Sequence, residues 1–225
     1  MINLQTSRSK IPEELKLLRK TYPNAKTALN FKTPIQMLVS TILSAQCTDV
    51  RVNMVTPALF DRYKNVEDFA EANLSELTSM ISSINFYKNK AKNILAAAKM
   101  IVEKFDGKLP RTLDEMIELP GIGRKTANVV LHNVYNIVEG VVVDTHVRRL
   151  SRRLGWTKEE SPEKVEQDLM KVLPRPDWDD ISYLLIDHGR AICKAPKPLC
   201  AECVLQKICP SAFSFDAKGK WVGVK

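Results

Sequence analysis

Apolar residues recur along this chain at helical spacing. Ile94, Ala97, Ala98, Ile101 and Phe105 form one stripe, and Lys92, Lys99 and Glu103 fall on the opposite face, so the segment predicts an amphipathic helix buried on one side. Start signals precede such stretches: Thr33 before Pro34, Thr48 before Asp49, Asn65, Ser161 before Pro162, and Thr112 with Glu115 as a capping box. Strand-like alternation is nearly absent. The one β-branched run, Val141 to Val143, is too short for a sheet and lies between Gly140 and a helix cap expected at Asp144. The pattern predicts an all-α fold of about ten short helices. Residues 211–225 lack helical periodicity and carry two glycines, so they are expected to form a partly ordered tail that Trp221 docks.

Two amphipathic stretches within Thr112 to Val138 are joined by Leu119-Pro120-Gly121-Ile122-Gly123, which predicts a helical hairpin. Pro120 stops the first helix, the glycines supply backbone angles that other residues resist, and Gly123 opens a helix whose free N–H groups face outward. Such an end attracts an anion. With no side chain at Gly121 or Gly123, a phosphate has room to approach, and Arg124 and Lys125 add positive charge.

Lys125 has two readings on residue chemistry alone. It is a phosphate clamp, or it is a nucleophile, which requires the unprotonated amine. Arg124 beside it, the positive helix end and a cleft would each disfavour the charged form. Asp144 in Val143-Asp144-Thr145-His146 reads as a helix N-cap. A carboxylate at a helix N-terminus is favoured in its charged form, so the cap also suits electrostatic stabilisation or proton acceptance.

Charge narrows the partners. The chain has 225 residues, 34 Lys and Arg against 26 Asp and Glu, and a net charge of +8, which favours an anionic partner such as a nucleic acid. No apolar run approaches a membrane span, and residues 1–10 lack the apolar core of a secretory signal, so a soluble protein in a reducing compartment is expected. Four of the five cysteines, Cys193, Cys200, Cys203 and Cys209, lie within seventeen residues, which points to metal binding rather than disulfides. Zinc and an iron-sulfur cluster are both open to four thiolates, but only the central pair has the short spacing of a zinc knuckle. Cys47 stands apart and reads as a buried thiol.

The hairpin LPGIGRKTA, the Val-Asp-Thr-His segment and the C-x6-C-x2-C-x5-C spacing resemble the endonuclease III family of helix-hairpin-helix DNA repair glycosylases. The resemblance runs from about Pro12 to Cys209 with the motifs in family order. It implies a two-lobed fold: a six-helix barrel over residues 27–137 ending in the hairpin (about 113–133), and an iron-sulfur lobe joining 1–26 to 138–225. It further implies a [4Fe-4S] cluster on the four cysteines and a bifunctional enzyme of base-excision repair. That enzyme would remove oxidised or ring-saturated pyrimidines from double-stranded DNA and cleave the abasic site by β-elimination through a Lys125 Schiff base, with Asp144 as its catalytic partner. A monomer in the cytoplasm, associated with the nucleoid, is expected.

Contact residues follow by the same resemblance. Leu43-Ser44-Ala45-Gln46-Cys47-Thr48-Asp49 is similar to a segment whose glutamine enters the space left by a flipped base, which assigns that role to Gln46. Ile84-Asn85-Phe86-Tyr87 is similar to a loop whose bulky residue wedges into the stack, which assigns the wedge to Phe86. Asn85 stands where the family usually has glycine, and as an asparagine it is expected to tolerate a left-handed backbone there. Leu119, Gly121, Gly123 and Arg124 are assigned to the DNA surface through the hairpin. Lys194 and Lys197 either touch the backbone of DNA or keep the cysteine loop solvated. A pyrimidine-dimer or mismatch glycosylase of the same superfamily, and a noncatalytic iron-sulfur DNA-binding module, are the rival readings.

Overall fold

Hydroxyl and carboxamide caps open the helices where the pattern places them. Over residues 4–216, 218, 221 and 222, which the computed structural model describes, the chain forms twelve α-helices and two short 3-10 turns. They are α1 (Leu4–Arg8), α2 (Ile11–Thr21), α3 (Pro34–Ser44), α4 (Asp49–Arg62), α5 (Val66–Ala70), α6 (Leu74–Met80), α7 (Tyr87–Phe105), α8 (Leu113–Glu118), α9 (Arg124–Tyr135), α10 (Thr145–Arg153), α11 (Pro162–Val172) and α12 (Ile181–Ala191). Thr33, Thr48, Asn65, Thr112 and Ser161 each accept a backbone N–H from the first turn of the helix that follows. The capping box falls elsewhere than expected. Asn65 and Asp68 close one at α5, whereas the Glu115 carboxylate takes the Thr112 hydroxyl at 2.7 Å instead of the Thr112 backbone N–H. The helix count exceeds the expected ten because pieces as short as α5 show no readable periodicity.

The helices fall into two compact units, one of residues Ala28–Glu139, the other of the residues up to Thr27 with those from Gly140 on. In the first unit α3 is the central helix, buried from Ile35 through Leu43, and it packs against α4, α7 and α9. An apolar helix buried on every side needs partners all round, and α7 provides one by turning Ala91, Ile94, Ala97, Ala98 and Ile101 inward. Lys92, Lys99 and Glu103 remain exposed on its other face. Each fully buried leucine or isoleucine here contributes about 1.5–3 kcal/mol.

The second unit packs α2, α10, α11 and α12 around Leu15, Leu18, Val147, Leu150, Trp156, Leu169 and Leu185. Val141 and Val143 are buried in this core, and the Ser182 hydroxyl donates to the Val142 carbonyl at 2.8 Å, fixing the chain as it approaches Asp144. The tail is tied by one antiparallel bridge between Phe215 and Trp221, with the Val222 N–H donating to the Ser214 carbonyl. Residues 1–3 and, within the stretch expected to form the tail, 217, 219, 220 and 223–225 lie outside the described residues. Among those described, no helix is long and apolar enough to cross a membrane.

Glu14 is a buried acid in this core. Its Oε2 accepts the Trp156 indole N–H at 2.6 Å, and Oε1 has no hydrogen-bond partner among the described residues. Burial raises its pKa from 4.5 to about 7, against the opposing pull of the Trp156 bond. A carboxyl with a raised folded-state pKa contributes stability that is full below its unfolded value near 4.5 and lost as pH rises through about 7. Glu14→Gln is therefore expected to stabilise the fold at pH 8 by an amount on the order of 3 kcal/mol, seen as a raised thermal midpoint, and to change it little at pH 5. Melts at the two pH values check this, and equal shifts at both would contradict it.

Candidate functional site

The hairpin is built as its sequence requires. Helix α8 ends at Glu118, Leu119 turns the chain, and α9 starts at Arg124 with Gly123 as its N-cap and no side-chain cap. Leu119 is buried in the core, its N–H on the Met116 carbonyl and its carbonyl accepting from Ile122 N–H, so its side chain anchors the turn and does not reach solvent. Gly121, Gly123, Arg124 and Lys125 are exposed. Lys125 is the second residue of α9, on the turn whose backbone N–H groups have no intrahelical acceptor.

The two glycines differ, which the sequence did not separate. Gly121 has φ +78°, and a Cβ there would lie 2.3–2.8 Å from side-chain atoms of Asn93. Gly123 has φ −93°, open to any residue, and a Cβ on it would meet nothing within 4 Å. Gly121→Ala is expected to destabilise by roughly 1–3 kcal/mol, and Gly123→Ala, which meets no clash and only weakens the N-cap, by about 1 kcal/mol or less. Urea unfolding of the two variants checks the contrast.

Gln46 and Phe86 are brought together at one end of the same unit. Both are exposed, Phe86 at 61%, and both adopt left-handed backbone, φ 53° and 59°. The expectation that Asn85 would carry the left-handed angle is corrected: Phe86, the N-cap of α7, carries it. Asn85 instead donates its side-chain amide to the Gln46 carbonyl at 2.7 Å. Lys90, which sequence reasoning missed, is buried, and its Nζ donates to the carbonyls of Leu43 (2.8 Å) and Ala45 (2.6 Å) at the end of α3. Burial holds its pKa below the ordinary lysine value. Cys47, expected to be buried, is half-buried.

Asp144 caps α10. Its Oδ1 accepts the His146 and Val147 backbone N–H groups, both at 2.8 Å, and its Oδ2 lies 3.0 Å from His146 Nδ1. Gly189 of α12 lets this helix start approach closely, since a Cβ there would lie 2.9 Å from His146 Cδ2 and 3.0 Å from Arg149 Nη2. The Asp144 carboxylate is 21% exposed, so the cap does not seal it.

The four cysteines of the loop after α12 are all half-buried and line one cavity with Leu150, His188 and Leu205. None is in a disulfide. N–H donors are aimed at their sulfurs: Arg153 Nη1 at Cys193 Sγ (3.2 Å) and Leu205 N at Cys203 Sγ (3.4 Å), with His188 Nε2 also 3.4 Å from Cys203 Sγ. Such donors suit thiolates. Burial first, and then the neighbouring cysteines, push Cys203 up and Cys209 up to about 12, a cost that a bound cation would offset. Among the described residues no three metal-binding side chains meet at a single-ion site. Arg153, buried at 5% exposure, also donates to the carbonyls of Lys194 and Ala195 and shapes the loop. The Lys194 and Lys197 side chains are exposed on it.

Residues 39–175 match the family model described as HhH-GPD superfamily base excision DNA repair protein. Endonuclease III of Synechocystis sp. is 52% identical over 93% of this chain and 95% of its own length. That of Bacillus subtilis is 46% identical over 88% and 90%. Among solved structures, a trapped endonuclease III–DNA covalent intermediate superposes with a TM-score of 0.85 at 40% identity, covering 93% of this chain and 96% of that one. A thermostable thymine-DNA glycosylase shares the fold, with a TM-score of 0.78 at 20% identity over 91% of this chain and 96% of that chain.

Proposed function

Because this chain belongs to the endonuclease III family, whose members are base-excision repair DNA glycosylases with abasic-site lyase activity, we propose that it removes oxidised or ring-saturated pyrimidines from duplex DNA and cleaves the resulting site through Lys125. The observation that carries this reading is Lys125 itself: an exposed amine on the first turn of α9, beside a glycine whose outer side is open. A backbone phosphate drawn to that helix end brings the sugar to the amine.

In the proposed reaction the bond between C1′ and the damaged base breaks, and the Asp144 carboxylate stabilises positive charge developing on the sugar. The base leaves with the C1′–N electron pair and takes a proton from water, the free amine of Lys125 forms a bond to C1′, and one amine proton passes to O4′ as the C1′–O4′ bond breaks, which leaves an iminium. That cation acidifies C2′–H. Loss of the C2′ proton expels the 3′ phosphate with the C3′–O electron pair, leaving a nicked strand. Gln46 and Phe86 fill the opened stack, while Gly121, Gly123 and Arg124 hold the phosphate backbone. Lys194 and Lys197 add charge along the duplex. The enzyme acts as a monomer, on the cell's DNA in the cytoplasm.

Cys193, Cys200, Cys203 and Cys209 are the residues that would hold a [4Fe-4S] cluster. Four thiols around one cavity, with N–H donors on two of the sulfurs, support a thiolate-held group here, and the C-x6-C-x2-C-x5-C spacing, with only its central pair spaced like a zinc knuckle, favours the cluster over zinc. When bound, the cluster supplies a crosslink that stiffens the loop, and neither excision nor elimination requires an electron from it. A panel of duplexes, each with one defined lesion, tests the proposal. Release and nicking at oxidised pyrimidines are expected, whereas activity confined to pyrimidine dimers or mismatches, or binding without nicking, would overturn it.

A further inference from the structure

Gln46 and Phe86 hold left-handed backbone although neither is glycine. Such angles cost a residue with a Cβ roughly 1–2 kcal/mol, so other contacts must impose them. Neither side chain repays that cost by packing, because both point into solvent. Each angle falls at the third position of a turn closed by a backbone hydrogen bond, Cys47 N–H on the Ser44 carbonyl at 3.0 Å and Tyr87 N–H on the Ile84 carbonyl at 3.2 Å, and two neighbouring side chains fasten those turns to each other. Asn85 ties its own loop to the Gln46 carbonyl. Lys90, one turn into α7 from Phe86, ties that helix to the carbonyls of Leu43 and Ala45, just before Gln46.

The chemistry of the second tie is telling. The last carbonyls of a helix lack intrahelical donors and carry the negative end of its dipole, so an ammonium satisfies them well. Burying that ammonium is still costly, and a methionine of similar reach would fill the space without the charge. What the lysine adds is direction. It fixes the end of α3 against the start of α7, and with them the two loops that leave from those ends.

We infer that Asn85 and Lys90 are positioning residues that hold Gln46 and Phe86 as one preassembled unit, ready to enter an opened duplex together. The inference rests on the proposed reading that these two side chains occupy the space left by the extruded nucleotide. Loops ordered beforehand spare the complex that ordering at the moment of extrusion, so the lock acts on the rate of opening the duplex and not on the chemistry at C1′. Asn85 supplies a bond that a glycine there could not make.

The test compares the full-length protein on lesion-bearing duplex and on a single-stranded oligonucleotide with an abasic site, which has no stack to fill. Asn85→Gly is expected to slow duplex processing by roughly 3- to 10-fold and Lys90→Met by roughly 10- to 100-fold. Single-strand cleavage should stay within about two-fold. A 2-aminopurine beside the lesion should brighten correspondingly more slowly. Equal losses on both substrates, or no loss on duplex with Asn85→Gly, would overturn the inference. Gln46→Ala and Phe86→Ala separate the two levels of the argument. If neither changes the duplex to single-strand ratio, the space-filling reading fails and takes the lock with it. If they change it while Asn85→Gly and Lys90→Met do not, only the lock fails.

Discussion

Lys125→Gln is expected to keep the fold and lose nicking at abasic sites by about a thousandfold or more. Glutamine nearly matches lysine in reach and helix preference, and the position is exposed on the first turn of α9, so the melting temperature should not move. The kinetic constants then separate the two roles the sequence left open. Loss of a phosphate clamp raises KM, by roughly ten-fold for one contact, and leaves kcat near its native value. Loss of the nucleophile lowers kcat. Steady-state nicking of an abasic duplex reads both constants.

Asp144→Asn carries the second large effect, and it separates the cap from the chemistry. Asparagine is as good an N-cap as aspartate, and its side-chain oxygen would still accept the His146 and Val147 N–H groups. What disappears is the negative charge. Release of a damaged base is expected to fall by about 10²- to 10⁴-fold while stability stays within roughly 1 kcal/mol. Single-turnover base release together with thermal melts measures the pair, and full activity in Asp144→Asn would assign Asp144 to capping alone.

The parts of this site that were legible in the sequence are those encoded by residues close together in the chain. Pro120 and Gly121 end one helix and turn the chain within five residues, and the Thr33, Thr48, Asn65, Ser161 and Asp144 caps act on N–H groups two or three positions away. The cysteine spacing is equally local. Gly121 and Gly123 looked alike in sequence because nothing nearby announces Asn93, which packs under one of them from α7.

What escaped depends on contacts between distant segments. Lys90 lies on a helix that reads as an amphipathic element with exposed lysines, and only the packing of α7 on α3 turns this one inward to meet carbonyls more than forty residues earlier. Asn85 was read for its backbone tolerance, but its function in the structure lies in its amide. Arg153 carries no signal of burial in the sequence, and it is buried because the cysteine loop folds its carbonyls around the guanidinium. Glu14 follows the same logic, a charged residue on an amphipathic helix whose facing partner, Trp156, comes from far along the chain.

Borohydride reduction during turnover on an abasic duplex, followed by proteolysis and mass mapping of the protein–DNA adduct, identifies the amine that attacks C1′. One adduct is expected, on Lys125, carrying the reduced sugar. An adduct on any other amine, or complete nicking with no adduct at all, would contradict that expectation.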